Sequence, residues 1–263
     1  MEEALLDDPD DMLGLLADLA GAMDRRLREL ARRLAARLFL DLARRGLSTR
    51  RGVGKITEQA YRPDTGDLDL DASFDAIAEA AAGGVALDVE RLRVRSWSTP
   101  ETALCLVVDR SGSMGGKPLA TAAIAAAAVA LRNPNNYSVI AFGKDVVAIK
   151  GQATDKPSDR VVTDLLSLRG HGTTDLAGAL RAAGAQLGRT NASRKIAILL
   201  SDCRPTVDGD VGAAAAALPE LVIVAPEQDS DEAFRFAAEC GARIATAAGP
   251  SLIVEALAAV LER

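Results

Sequence analysis

At 263 residues with 49% apolar side chains, the chain is long enough to bury a full hydrophobic core, which excludes a disordered or peptide-like protein. A net charge of −6 excludes nucleic-acid binding through a concentrated basic surface. No uncharged run of about 18 apolar residues occurs, excluding an inserted membrane helix, and the acidic start (Glu2, Glu3, Asp7, Asp8) is unlike a basic secretory leader, so the expected address is the cytoplasm. Cys105, Cys203 and Cys240 are odd in number and Cys105 lies in an apolar run, so free thiols are expected rather than a disulfide framework. The basic residues are mostly Arg and Ala is abundant, a composition that suits a bacterial source.

In chain order, Leu13, Leu16, Ala20, Met23, Leu27, Leu30, Leu34, Leu38 and Leu42 recur at steps of three or four and predict one long amphipathic helix. Asp7, Asp8, Asp10 and Asp11 suit its positive end, Arg44 and Arg45 its negative end, and Gly46 its stop. Such a helix either packs on its own protein or docks on another chain. Residues 46 to 66 are polar and rich in Gly, and read as an irregular connection. Gly52-Val-Gly-Lys55 is not a phosphate loop, because the first Gly would have to stand at Thr49 and Ile56 replaces the magnesium-binding hydroxyl. Asp67, Asp69 and Asp71 imitate an EF-hand start, but Ala72 and Ala78 replace its Gly and its bidentate Glu, so strand and helix-cap chemistry is expected there. Ser73 to Ala82 reads as helix and Val89 to Trp97 as an exposed edge strand.

From Ala103 the texture changes to short apolar runs alternating with helical segments, the pattern of a parallel sheet covered on both faces. The runs are Ala103 to Val108, Tyr137 to Phe142, Val146 to Ile149, Ile196 to Leu200, Leu221 to Val224 and Arg243 to Ala245. Helices are expected at Leu119 to Leu131, Ser158 to Leu168, Leu176 to Leu187, Val211 to Ala217, Ser230 to Glu239 and Leu252 to Leu261. Only Gly143 to Asp145 join the second and third runs, too few for a crossover, so Val146 to Ile149 should lie antiparallel at an edge. The expected fold is α/β: a Rossmann-like, doubly wound, mostly parallel six-stranded sheet with one antiparallel edge strand, plus an N-terminal helical extension. Residues 1–99 form the extension and 100–263 the α/β domain.

Ligands of such sheets bind outside the carboxyl ends of the strands. The first run ends in Asp109-Arg-Ser111-Gly-Ser113, the fourth in Ser-Asp202, and the loop Gly170-His-Gly-Thr-Thr174-Asp places a hydroxyl just before a helix. These oxygen donors suit a hard cation such as Mg2+, which keeps several waters and takes ligands at about 2.0 to 2.1 Å. Mn2+ or Ca2+ could replace it in an oxygen site. With two carboxylates the ion is little more than neutralised and retains room for another anionic ligand. His171 reads as a solvent-facing loop residue, Cys203 as packing, and Arg110 and Met114 as surface residues flanking the ion. No acid and base pair converges, and Ser111 stands where a phosphohydrolase of the haloacid-dehalogenase type has a second Asp, so no enzymatic activity is expected.

At this arrangement the chain resembles the von Willebrand factor A family, whose metal-ion-dependent adhesion site reads D-x-S-x-S, then T, then D. The resemblance covers about Pro100 to Arg263 and implies a metal site of Asp109, Ser111, Ser113, Thr174 and Asp202. It implies Ser111 and Ser113 as direct ligands, Thr174 as direct or water-linked, and the two aspartates as lying largely one shell out. Thr173 stands at the second Gly of the family's G-G-T-D pattern, which favours Thr174 as the hydroxyl. Tyr61-Arg-Pro-Asp-Thr-Gly-Asp-Leu-Asp-Leu-Asp and Leu92-Arg-Val-Arg-Ser-Trp97 are similar to bacterial MoxR-associated and CoxE-like members and to magnesium-chelatase subunits. That likeness implies a metal-dependent protein–protein interaction adaptor whose ion takes an Asp or Glu of a MoxR-type AAA+ ATPase or of its client, in protein or metallocofactor maturation. The alternatives are a stand-alone scaffold for an unrelated partner and a metal-dependent phosphohydrolase. Because all five residues follow position 100, metal affinity is expected to be independent of residues 1 to 45.

Overall fold

The computed structural model describes residues 8–20, 25–47, 55–60, 67–83, 88–98, 101–110, 116–168 and 172–261. The chain divides into two compact units, residues 1–49 with 102–263, and residues 50–101.

The larger unit is built on a six-stranded sheet. Its strands are β4 (Thr102–Asp109), β5 (Tyr137–Phe142), β6 (Val146–Lys150), β7 (Arg194–Leu200), β8 (Leu221–Pro226) and β9 (Arg243–Ala247), in the order β6-β5-β4-β7-β8-β9. All neighbours are parallel except β5 and β6, which pair antiparallel at the edge, as the three-residue connection requires. The central β4 is buried along nearly its whole length. Successive side chains leave opposite faces of a strand, so Leu104, Leu106 and Val108 enter one core and Ala103, Cys105 and Val107 the other. A strand buried on both faces cannot alternate with polar residues, which is why it reads as a continuous apolar run.

The helices are α1 (Pro9–Leu19) and α2 (Arg25–Leu47) before the sheet, then α4 (Gly116–Arg132), α5 (Ser158–Leu165), α6 (Leu176–Leu187), α7 (Val211–Ala216), α8 (Asp231–Cys240) and α9 (Ile253–Leu261) within it. The single long N-terminal helix expected from periodicity is instead two helices, and both pack on α4 of the same chain. Every residue of α4 from Leu119 to Ala130 except Thr121 is buried. A helix lying on a sheet normally keeps one polar face; α4 has almost none because α1 and α2 cover its outer side. Leu13, Ala17, Ala35, Phe39 and Ala43 supply the covering face, and the small alanines of α4 allow close approach with little loss of helix propensity. The residues read together as an extension over 1–99 are therefore divided, with 1–49 grouped with the sheet and 50–101 apart.

The smaller unit holds a three-stranded antiparallel sheet, β1 (Lys55–Ala60), β3 (Arg93–Ser98) and β2 (Asp67–Leu68) in the order β1-β3-β2, with α3 (Leu70–Gly83). Two expectations change here. Part of the stretch read as irregular is the strand β1, and the stretch read as an edge strand is a 3-10 turn (Val89–Arg91) followed by the middle strand of this sheet. Both reflect pairing between strands of weak, mixed polarity, where tertiary context overrides local pattern. Asp69 is buried; its carboxylate accepts from Ala72 N at 3.2 Å, and Ser73 Oγ accepts from Arg93 N at 2.9 Å. The triplet Asp67, Asp69, Asp71 thus starts a helix, as expected.

Candidate metal centre

The switch in strand order falls between β4 and β7, whose carboxyl ends carry Asp109 and, two residues past Leu200, Asp202. Both carboxylates line one cleft of about 360 Å³. Lys117, Thr121, Gln228 and Asp229 add polar groups to its wall, over an apolar floor of Val108, Leu200 and Val224. These two aspartates, far apart in sequence, thus line the same cleft.

Ser201 organises the pair. Its hydroxyl donates to Asp109 Oδ2 at 2.6 Å and accepts from Cys203 N at 3.0 Å. Asp202 Oδ1 accepts from Arg204 N at 3.2 Å. Between them Cys203 has φ 61°, a left-handed conformation that costs a non-glycine residue of order 1 kcal/mol and persists only when its surroundings enforce it. Cys203 is buried in the core, and its thiol is pushed up, first by burial and then by the charges of Asp202 and Asp109.

Thr174 is buried and clasped to the same loop. Its N–H donates to Thr206 Oγ1 at 2.7 Å, and its carbonyl accepts from Thr206 N at 3.1 Å and Val207 N at 3.3 Å. Its hydroxyl has no hydrogen-bond partner among the described residues. Asp175 caps α6 by accepting from Gly178 N at 2.8 Å and donates its own N–H to Gly143 O at 2.9 Å. Thr174 is therefore held from both sides, although it does not line the cleft that Asp109 and Asp202 share.

The electrostatics favour a cation. The Asp202 carboxyl is pushed above the usual carboxylate range, chiefly by burial, which the hydrogen bond from Arg204 N offsets only in part, with smaller repulsion from Asp109 and Asp229. Arg204 is itself committed to an ion pair with Asp229, and Lys117 to one with Asp11 at 2.6 Å. Among the described residues no three His, Cys, Asp or Glu side chains stand close enough to hold a metal, so an ion here has to draw on hydroxyls as well. The carboxylates of Asp109 and Asp202 in one cleft are hard oxygen donors and fit a Mg2+-type ion.

Ser111, Ser113, Met114 and His171 lie outside the described residues. Arg110 differs from its reading as a surface residue: it is buried, and its guanidinium donates to Asp145 O at 3.4 Å. Sequence reasoning passed over Ser201, although the strand end Leu-Leu-Ser-Asp contained it, and Thr206, for which no local pattern gives a signal.

The fold and this strand-end cleft define the class: an α/β domain with an acidic cleft at its topological switch. Residues 104–210 match the family model described as von Willebrand factor type A domain, which spans β4 to the loop before α7. No curated protein matches the chain. Among solved structures it is similar to the D319A mutant of the PilB minor pilin from Streptococcus sanguinis, at 11% identity and TM-score 0.50, covering 64% of this chain and 63% of that one. It is also similar to a von Willebrand factor type A protein from Catenulispora acidiphila, at 16% identity and TM-score 0.47 over 62% of this chain, but it spans only 42% of that chain. A third similarity is to the manganese-loaded TRAP protein of Plasmodium vivax, at 20% identity and TM-score 0.47, covering 56% of this chain and 68% of that one. At such identities the likeness speaks for the fold alone. Among the described residues no helix is long and apolar enough to cross a membrane.

Proposed function

We propose that Asp109, Ser111, Ser113, Thr174 and Asp202 hold one divalent cation, Mg2+ or a substitute such as Mn2+ or Ca2+, and that the chain uses it to grip a partner protein. The observation that carries this reading is the convergence of Asp109 and Asp202 at the ends of β4 and β7, with Asp202 destabilised as a carboxylate by burial and by its neighbours. A half-buried pair of like charges is costly until a cation joins it. The bound ion supplies Lewis acidity toward one further oxygen ligand. The chain's own groups do the rest: Ser201 fixes the direction of Asp109, and the Thr206 clasp fixes Thr174. A partner's Asp or Glu side chain is the ligand this geometry favours.

On this reading the chain is an adaptor and not an enzyme: the Ser201 hydroxyl and the Asp109 carboxylate are engaged with each other in organising the site, and the Cys203 thiol is raised and buried. The partner class we favour is a MoxR-type AAA+ ATPase or its client, on the strength of the Tyr61 to Asp71 and Leu92 to Trp97 segments. Calorimetric titration of the metal-free chain with Mg2+ tests the site, and copurification in Mg2+ against EDTA tests the grip. A single-site Mg2+ isotherm and an ATPase ring released by EDTA are expected. No Mg2+ binding up to millimolar concentration would sink the cation site; EDTA-insensitive capture would sink its role in the grip.

A further inference from the structure

We propose that the outer face of α3, in the smaller unit, is a docking surface for a basic amphipathic helix of a partner protein, and that it works independently of the cation site. The observation behind this is that α3 is inverted, with small side chains inside and large apolar ones outside. Ser73 and Ala76 are its buried residues. Ser73 Oγ accepts from Arg93 N at 2.9 Å and donates to Arg93 O at 3.3 Å, which fixes this inner face on the middle strand β3. The two largest apolar side chains of the helix lie elsewhere on its surface, Leu70 at 65% exposure and Phe74 at 66%. In the larger unit Phe39, Phe142 and Phe236 are all buried. One exposed Phe needs no explanation, whereas a row of apolar side chains on a fixed helix marks a contact surface.

Helical geometry orders the row. Residues four apart are neighbours on a helix surface, so Leu70, Phe74 and Ala78 form one ridge, and Asp71, Asp75 and Glu79 form the next ridge alongside it. The three carboxylates are exposed, as are the two large apolar side chains. Within the chain Arg91 answers Glu79 at 2.7 Å, and the ridge as a whole stays acidic.

The two ridges together specify the occupant. Ridges of one helix seat in the grooves of another, so the apolar ridge calls for apolar side chains at helical spacing. The acidic ridge beside it calls for Lys or Arg along one flank of those side chains. A second copy offering the same face is the poorer fit, because its ridge is acidic too and a two-fold contact brings no cations to either.

The test uses the full chain in EDTA, so that no divalent cation contributes, and a synthetic helical peptide of about 20 residues with Leu at every third or fourth position and Lys along one flank. A counterpart peptide carries Glu in place of Lys. Binding is read by fluorescence anisotropy and located by amide hydrogen exchange. The Lys peptide is expected to bind and to slow exchange over Leu70–Gly83. Phe74→Ser and Leu70→Ser should each weaken it by about tenfold, and Asp75→Asn by about threefold. The Glu peptide should bind at least about tenfold more weakly. Both Ser variants change exposed side chains and should melt within about 2 °C of wild type; if one fails to fold, the other decides. Three results would each overturn the proposal: no binding of the Lys peptide up to millimolar concentration, binding that both Ser variants leave intact, or equal binding of the two peptides. Self-association of the full chain abolished by Phe74→Ser would overturn it as well, by assigning the face to a second copy. Asp109 and Asp202 belong to the larger unit, so Mg2+ titration of the Ser variants should match wild type, and a chain that binds no Mg2+ would sink the cation reading while leaving this one standing.

Discussion

The two ends of the six-stranded sheet solve the same problem in opposite ways. At the amino end the charges are matched. Glu220, just before β8, accepts from Arg194 Nε at 2.9 Å and Arg194 Nη2 at 2.7 Å and is also bonded by Arg243, tying the starts of β7 and β9 together. Nearby Lys150 is buried, donates to Tyr137 O at 2.7 Å and sits 4.2 Å from the centre of the Tyr137 ring. At the carboxyl end Asp109, Asp202 and Asp229 line one cleft, where Arg204 pairs with Asp229 and Lys117 with Asp11, while burial and repulsion raise the Asp202 carboxyl. Matched charge holds strand starts together; a raised carboxyl at a strand end is what the proposed cation site would exploit.

The largest expected effect sharpens this division. Lys150→Ala removes a buried ammonium, its contact with Tyr137 and the partner of a buried carbonyl, and should cost about 3 kcal/mol of stability. Denaturant unfolding gives that number. Magnesium affinity of the folded protein should not move, and if it fell with stability the two ends would not be independent.

Next in size, Asp202→Asn should do the converse. It removes one carboxylate from the crowded pair and should lower Mg2+ affinity by about 100-fold, while the metal-free protein melts no lower than wild type because a repulsion has been relieved. A loss of stability without loss of Mg2+ binding would assign Asp202 to the framework. The same logic gives Ser201→Ala a smaller effect, about tenfold in affinity, since it leaves Asp109 charged but unaimed.

The sheet was the most legible part of the chain. Each of its strands was visible as an apolar run because parallel strands covered on both faces have no polar alternation to blur them, and the antiparallel edge followed from the short Gly143 to Asp145 link. Asp109 and Asp202 were legible because strand ends are the only places where such runs stop in a carboxylate. The organisation around α1 was not. Leucine spacing continues through Ala20 and Met23 at helical period, so two helices read as one, and Gly21 was the one cue to a break. A second cue was missed in α4: Ala-Thr-Ala-Ala-Ile-Ala-Ala-Ala-Ala-Val-Ala has no polar stripe, and a helix apolar all round must be covered on its outer side. That requirement ties the helices at residues 9–19 and 25–47 to the helix that covers the sheet. The clasp of Thr174 by Thr206 had no local signature, being a contact between two irregular loops.

The smallest effect is a difference in sign with pH, and it separates the two ends without perturbing the core. Glu220 is held below the usual carboxylate range, first by its hydrogen bond from Arg194. A depressed carboxyl binds fewer protons folded than unfolded, so its contribution is present above the unfolded value of about 4.3 and is lost as pH falls through the lower folded value. Being partly exposed, it should be worth no more than about 1 kcal/mol. Asp202 is raised, so between its unfolded value of about 3.9 and its higher folded value the folded chain binds more protons. In the metal-free protein its contribution is therefore a destabilisation, absent in acid and complete above the folded value. Melting curves across this range should show Glu220→Gln less stable than wild type near neutral pH and converging with it in acid. Asp202→Asn should be more stable than metal-free wild type near neutral pH and should also converge in acid. Saturating Mg2+ should reverse the order for Asp202→Asn, because the ion stabilises only the chain that binds it, and should leave the Glu220→Gln difference in place. If Mg2+ shifted both pairs alike, the distinction between a matched end and a waiting end would fail.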